Sequence, residues 1–105
     1  MKYFKVASMR DVKKKSIIEV DADGYSLLLY RDKDDGIYCL KNCCSHDQSE
    51  LFGGVVTDDI ITCPQHGAKF NLKTGEAVLM PAVVGVEVFP VKVEEDMILV
   101  GIEDE

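Results

Sequence analysis

Short runs of hydrophobic residues, separated by residues that favour turns, extend over most of this chain. In several runs apolar and polar positions alternate with a period of two, which is typical of half-buried strands. In the final run, for example, Ile98, Val100 and Ile102 alternate with Leu99 and Gly101. The pattern predicts strands at residues 3–7, 17–21, 25–31, 37–41, 86–93 and 97–102, with brief apolar segments at 55–56 and 60–61.

The breaks between these runs carry specific turn signals. Asp23-Gly24 predicts a hairpin and Asp35-Gly36 predicts the next turn, because both pairs tolerate positive φ angles. Ser8 can cap a single helical turn that runs through Val12. Pro90 stands where the alternation changes phase, so we expect a bulge or a sheet edge there.

Many short strands with almost no helix predict an all-β fold, a small antiparallel sandwich or barrel. The length of 105 residues corresponds to one domain, 1–105. The formal net charge of -7 argues against nucleic acid as a partner, since phosphates would repel this surface. It suits a basic partner or serves solubility alone. No apolar run is long enough to span a membrane and the charged start lacks a signal-peptide pattern, so we expect a cytoplasmic protein without membrane contact.

The candidate chemistry lies in two Cys/His pairs. Cys44-Ser45-His46 and Cys63-Pro64-Gln65-His66-Gly67 are separated by sixteen residues and contain both histidines of the chain. Two thiolates and two imidazoles can hold a small metal centre, and a Rieske centre places two Cys on one iron and two His on the other. The candidate ligands are therefore Cys44, His46, Cys63 and His66.

Three other interpretations of these pairs stay open. A structural zinc site can use two Cys and two His, although its usual spacing pairs Cys with Cys and His with His. Cys44 and Cys63 could instead be buried small apolar residues. A catalytic Cys/His pair is the third interpretation, and it leaves the second pair without a role.

The two pairs and the residues around them resemble the Rieske iron-sulfur signature, and the whole chain resembles the Rieske-type ferredoxins that serve bacterial oxygenases. The resemblance continues in three further segments: Gly53-Gly54-Val55, Phe70-Asn71-Leu72-Lys73-Thr74-Gly75 and Met80-Pro81-Ala82, the last as a third, proline-bearing loop. It implies an antiparallel base with an inserted cluster-binding subdomain at about residues 42–81.

The resemblance also implies a cofactor and a function. One [2Fe-2S] cluster would be bound with Cys44 and Cys63 on the inner iron, and with His46 and His66 on the outer iron. The protein would be a monomeric one-electron carrier without catalytic residues, taking electrons from a flavoprotein reductase and passing them to an oxygenase component. The small Rieske-like subunit of an assimilatory nitrite reductase and a zinc-stabilised module without redox function are the alternatives.

Residues near the ligands predict whether the reduction potential of the centre is high or low. In high-potential Rieske proteins of cytochrome bc complexes, hydroxyl groups at the positions of Ala68 and Phe70 donate hydrogen bonds to the cluster. Those proteins also carry a disulfide at the positions of Ser49 and Gln65. Because neither feature is present in this sequence, we expect a low-potential, oxygenase-type centre.

Two cysteines and several surface positions complete the sequence predictions. Cys39 and Cys43 do not fit the ligand spacing, so we interpret them as a small strand residue and a loop thiol. Gly67 should allow a tight backbone turn beside the cluster, and Pro64 should stiffen the same loop. The candidates for partner contact are Gln48, Gln65 and Lys69.

Overall fold

Eleven strands make up almost all of the regular structure. The computed structural model describes residues 1–45, 48–65, 67–79 and 84–103. Within these ranges the strands are β1 Lys2–Ser8, β2 Ser16–Ala22, β3 Tyr25–Arg31, β4 Ile37–Lys41, β5 Val55–Thr57, β6 Ile60–Thr62, β7 Lys69–Asn71, β8 Ala77–Leu79, β9 Val88–Phe89, β10 Val91–Glu94 and β11 Met97–Ile102, with a 3-10 turn at Met9–Asp11.

The strands form three antiparallel sheets. One has the order β1-β11-β10, the second β2-β3-β4-β9 and the third β5-β6-β7-β8. The third sheet contains only strands from the middle of the chain, and its neighbours in sequence, β4 and β9, pair directly with each other. The prediction of an all-β antiparallel fold with an inserted subdomain is therefore confirmed, while the limits of about 42 and 81 stay a prediction.

Strand β3 separates two hydrophobic cores. Leu27 and Leu29 pack into the core between the first two sheets, together with Ile98 and other β11 residues. Leu28 and Tyr30 point the other way and pack into a second core with residues of the third sheet. Since both faces of β3 are covered, its sequence is continuously apolar rather than alternating. Each fully buried leucine contributes roughly 1.5–3 kcal/mol to this packing.

The local turn predictions are confirmed. Asp23 and Gly24 have φ angles of 49° and 84° and connect β2 to β3 in a two-residue hairpin. Ser8 precedes the 3-10 turn, and Asp11 accepts hydrogen bonds from its backbone N–H at 2.9 Å and from its hydroxyl at 3.1 Å. Both features arise from neighbouring residues, which is why the sequence predicts them.

The prediction of one strand at 86–93 is wrong, because the strand begins at Val88 and the chain changes sheets at Pro90. The sheet edge expected at Pro90 is confirmed, since β9 and β10 are each the edge strand of their sheet. β9 pairs with β4, whereas β10 pairs with β11. Proline has no N–H to donate, so it fits the junction between the two pairings. Its carbonyl oxygen accepts a hydrogen bond from the Gly101 N–H at 2.9 Å.

Strands β7 and β8 are additional to the predicted set. Each has three residues, and Lys69-Phe70-Asn71 contains a single apolar side chain, so neither produces a clear periodic signal. Phe70 of β7 is fully buried in the second core. Tertiary pairing with β6 therefore defines this strand more than local propensity does.

Asp32 joins the turn after β3 to the segment after β7. It is 4% exposed, and one of its oxygens accepts hydrogen bonds from the backbone N–H groups of Asp34 (2.9 Å) and Gly36 (2.7 Å). Its other oxygen lies 3.2 Å from Lys73 Nζ. Burial alone would raise the pKa of Asp32, but the hydrogen bonds from Gly36, Lys73 and Asp34 outweigh it and lower that pKa below 3.8.

We predict that Asp32 makes folding stability depend on acid pH. A carboxyl whose pKa is lowered in the folded state stabilises the protein above its unfolded pKa of about 3.9 and loses this effect as the pH falls through the folded pKa. Asp32→Asn should therefore lower the unfolding free energy at pH 7 and flatten its pH dependence below about pH 4. Urea titrations across this pH range measure both effects.

The control for this experiment is Asp34→Asn, which removes an exposed carboxylate from the same turn. We expect it to change the free energy of unfolding by less than about 0.5 kcal/mol. An equal loss of stability in the two variants would contradict the role assigned to the buried carboxylate.

Candidate metal centre

One candidate cysteine ligand lies in the connection that leads into the third sheet, and the other lies in a loop within that sheet. Cys44 follows β4, and Cys63 begins the connection between β6 and β7. Their exposed fractions are 0% and 1%, and both side chains belong to the second core. The fold thus brings two thiols, distant in sequence, into one protected region. His46 and His66, as well as the predicted loop Met80-Pro81-Ala82, lie outside the described residues.

The two loops share the same backbone hydrogen bonds. In the first, the Cys44 N–H donates to the Ser49 carbonyl at 2.7 Å, and the Gln48 N–H donates to the Cys44 carbonyl at 2.8 Å. In the second, the Cys63 N–H donates to the Ala68 carbonyl at 2.7 Å, and the Gly67 N–H donates to the Cys63 carbonyl at 3.1 Å. The N–H of each cysteine is therefore bonded to the residue five positions later, and its carbonyl to the residue four positions later.

The backbone turns in the same sense in both loops. Gln48 has a φ of 67° and Gly67, at the equivalent position, has a φ of 75°. Positive φ costs little for glycine and more for other residues, so Gly67 provides the tight turn that the sequence predicts. In the first loop Gln48 adopts this conformation despite its side chain.

Side chains connect the first loop to its surroundings. The Ser49 hydroxyl oxygen lies 3.8 Å from the sulfur of Cys63, so it links the first loop to the second. The Ser45 hydroxyl donates a hydrogen bond to the carbonyl oxygen of Val84, which follows the predicted third loop. These contacts hold the cysteine loops against one another and against a third segment.

A model of the Rieske [2Fe-2S] domain matches residues 2–90 of the chain. The chain belongs to this family. Two buried thiols on equivalent loops fit the two cysteine positions of such a centre, where Cys ligates one iron and His the other. The Rieske match therefore supports a [2Fe-2S] cofactor rather than the zinc site, the apolar cysteines or the catalytic pair considered from the sequence.

Known ferredoxins are similar to the protein over nearly its whole length. Ferredoxin CarAc of Metapseudomonas resinovorans is 32% identical over 99 residues, covering 94% of this chain and 92% of its own. The ferredoxin of carbazole 1,9a-dioxygenase from Nocardioides aromaticivorans IC177 is 30% identical with a TM-score of 0.91, and covers 98% of this chain and 100% of its own.

Two further structures bear on partners and alternatives. The ferredoxin in a complex of reduced oxygenase and oxidized ferredoxin of carbazole 1,9a-dioxygenase is 32% identical with a TM-score of 0.85, covering 93% of this chain and 91% of its own. A putative nitrite reductase small subunit has a TM-score of 0.82 at 18% identity, covering 97% of this chain and 100% of its own. That second likeness shows a shared fold alone.

The residues behind the cysteines of this Rieske domain are apolar. Ala68 and Phe70, where the sequence analysis looked for hydroxyl donors, are both fully buried in the second core. Neither side chain can donate a hydrogen bond to a sulfur. Both side chains belong to the same core as Cys44 and Cys63, and the low potential stays a prediction.

The two cysteines that do not fit the ligand spacing have different environments. Cys39 is 2% exposed and packs in the other core, beyond β3, and burial raises the pKa of its thiol to about 12. Such a thiol stays protonated and unreactive. Cys43 is half-buried, and its sulfur lies 3.5 Å from the amide oxygen of the exposed Gln48.

The surface around the loops contains both polar and apolar side chains. Gln48 and Gln65 are exposed as expected, whereas Lys69 is half-buried and donates a hydrogen bond to the Thr62 hydroxyl at 2.8 Å. Phe52 and Val84 are 44% and 64% exposed. Sequence reasoning did not find these two apolar residues as surface candidates, because no periodicity distinguishes a loop hydrophobe from a core residue.

Asn42 fixes the first loop to the base of the Rieske domain. It is 5% exposed, and its side-chain oxygen accepts hydrogen bonds from the N–H groups of Leu51 and Phe52, both at 2.9 Å. Its amide nitrogen donates to a carboxylate oxygen of Glu19 at 2.8 Å and to the Ser26 hydroxyl at 3.1 Å. The side chain thus closes the loop that carries Cys44. Its role was missed because a lone polar residue before a cysteine pair gives no sequence signal.

We predict that Asn42→Asp destabilises the protein by about 1–3 kcal/mol, because a buried hydrogen-bond donor is replaced by a second carboxylate facing Glu19. The double variant Asn42→Asp/Glu19→Gln should recover part of the loss, since Gln can donate to the new carboxylate. Urea unfolding of the wild type, Asn42→Asp, Glu19→Gln and the double variant, at equal iron content, measures the coupling energy between the two side chains. Strict additivity of the two substitutions would contradict a direct contact.

Proposed function

We propose that the protein is a one-electron carrier of the oxygenase-associated ferredoxin type, bearing one Rieske [2Fe-2S] cluster. Cys44 and Cys63 would ligate the inner iron, and His46 and His66 the outer iron. When bound, the cluster supplies reversible one-electron chemistry. The observation that supports this proposal most strongly is the pair of buried cysteines on loops with identical backbone hydrogen bonds, in a chain similar over its whole length to ferredoxins.

The environment of the cysteines suits electron transfer. Buried thiolates are protected from oxidation and solvent, and the backbone bonds at each cysteine limit the movement of the ligands. A centre that changes little in geometry between its two redox states exchanges electrons with a small reorganisation cost. We assign no catalytic residue, because the proposed role needs a cluster and a contact surface rather than a substrate site.

We propose a flavoprotein reductase as electron donor and a terminal oxygenase as acceptor, with the carrier working as a cytoplasmic monomer. The acceptor is supported by the carbazole 1,9a-dioxygenase structure in which a similar ferredoxin is bound to its oxygenase. The contact surface would include Gln48 and Gln65 with the exposed apolar residues Phe52 and Val84. The described part of the chain contains no helix that could span a lipid bilayer.

A reconstituted electron-transfer assay tests this function. The purified protein should be reduced within seconds by NADH and a flavoprotein ferredoxin reductase, and should pass electrons to a Rieske oxygenase with consumption of oxygen. It should also purify without a large partner. Stable co-purification with a sirohaem-bearing subunit, together with slow reduction by the flavoprotein, would instead identify it as a nitrite reductase subunit.

The ligand assignment predicts the outcome of single substitutions. Cys44→Ser, Cys63→Ser, His46→Ala and His66→Ala should each abolish the cluster or strongly distort its spectrum, because each substitution removes one of the two protein ligands of an iron. Iron and sulfide assays with visible absorption measure the effect.

Cys39→Ala and Cys43→Ser are the matched controls, and both should retain the spectrum of the wild-type protein. Cys39 lies in the other core, and Cys43 contacts the amide of Gln48. Loss of the cluster in Cys43→Ser, with a normal spectrum in Cys44→Ser, would mean that Cys43 and not Cys44 is the ligand.

The assignment to the low-potential class predicts that the reduction potential rises when hydroxyl donors are introduced. Ala68→Ser and Phe70→Tyr should each raise the reduction potential, because a hydrogen bond to sulfur stabilises the reduced, more negative cluster. A tenfold preference for the reduced state corresponds to about 60 mV for one electron. Protein-film voltammetry measures the shift, and an unchanged potential in both variants would refute this explanation of the class.

A further inference from the structure

A serine hydroxyl of the first loop lies against the cysteine sulfur of the second loop. The Ser49 oxygen lies 3.8 Å from the Cys63 sulfur, across fourteen positions of sequence. Ser49 is half-buried, and Cys63 is 1% exposed. In the sequence, position 49 stands out only as the place of a missing disulfide, and no local pattern marks its hydroxyl as a donor.

Chemistry decides the direction of this hydrogen bond. Either atom could donate while Cys63 is a thiol. A cysteine that ligates iron is a thiolate and has no proton to give, whereas a serine hydroxyl always has one. In the cluster-bearing protein Ser49 is therefore the donor and the sulfur is the acceptor.

The backbone fixes Ser49 in position for this contact. Its carbonyl accepts the N–H of Cys44 at 2.7 Å, so the same residue holds one cysteine through its main chain and contacts the other through its side chain. The preceding residue, Gln48, has a positive φ of 67°, which turns the chain at this point. The main chain of the serine is thus tied to the main chain of Cys44.

The second loop lacks the corresponding group. Ala68 accepts the N–H of Cys63 as Ser49 accepts that of Cys44, but its side chain is a methyl group. The equivalence of the two loops therefore ends at this pair of positions. A hydroxyl reaches from the first loop to Cys63, and the matching position of the second loop offers none to Cys44.

We propose that Ser49 is a positioning residue that tunes the cluster through Cys63. Its hydrogen bond strengthens as the cluster gains an electron, so it raises the reduction potential above the value that the apolar residues Ala68 and Phe70 alone would give. This inference rests on the proposed Rieske function.

The test compares Ser49→Ala, Ser49→Thr and the wild-type protein, all with their clusters. Ser49→Ala should lower the potential, and Ser49→Thr, which keeps the hydroxyl, should return most of the way to the wild-type value. Ser16→Ala is the control, because its hydroxyl donates to the Lys13 carbonyl in the base at 2.7 Å. Voltammetry gives the potential, and resonance Raman spectroscopy gives the iron–sulfur stretching frequencies.

Each outcome has a defined meaning. A lower potential in Ser49→Ala, with recovery in Ser49→Thr and no change in Ser16→Ala, supports the hydrogen bond. Equal potentials in wild type and Ser49→Ala overturn it. If Ser49→Ala does not retain its cluster, the substitute experiment is a brief transfer of the wild-type protein to D2O. The hydroxyl proton exchanges there before the protons of buried amides do. An unshifted Raman spectrum there also overturns the proposal.

A failure of the proposed function would be distinguishable from these results. Wild-type protein without two irons and two sulfides per chain and without a Rieske-type signal would remove the basis of the inference. A normal wild-type cluster with no effect of Ser49 would leave the function intact and refute the tuning role alone.

Discussion

Each of the two buried cysteines is fixed through its own peptide groups, by a carbonyl five residues ahead and an N–H four residues ahead. This arrangement requires a positive φ at the fourth position, which Gly67 adopts readily and Gln48 adopts at a cost. Because the constraint acts on the main chain, it is independent of the cluster's own bonds. The loops can therefore present their thiols before metal binds, which lowers the entropy lost when the site is filled.

The rest of the fold supports these loops from one side. Strand β3 has a core on each face, so Leu28 and Tyr30 anchor the third sheet while Leu27 and Leu29 anchor the base. Asn42 and Asp32 add buried polar links between the two parts, each with its hydrogen-bonding groups satisfied by named partners. Such links define one relative placement, since a shift would leave buried polar groups unpaired.

Predictions from the sequence succeeded where neighbouring residues determine the structure. The hairpin at Asp23-Gly24, the turn after Ser8 and the last strand follow from short-range rules. The phase change at Pro90 indicated a sheet edge or bulge, but the sheets that β9 and β10 join depend on pairing with distant segments. The strand at Lys69–Asn71 depends on such pairing too, and local patterns do not contain it. At the site, the spacing of the two Cys/His pairs indicated the Rieske family. The contributions of Asn42 and Ser49 could not be inferred, because they arise only when the loops are folded together.

The central claim is that Cys44, His46, Cys63 and His66 share one [2Fe-2S] cluster. The most direct measurement is pulsed electron paramagnetic resonance of the dithionite-reduced protein, with iron and sulfide assays on the same sample. The account predicts a rhombic signal with hyperfine coupling to two imidazole nitrogens, and two irons and two sulfides per chain. A signal without nitrogen coupling, or colourless protein that contains zinc and no sulfide, would contradict it.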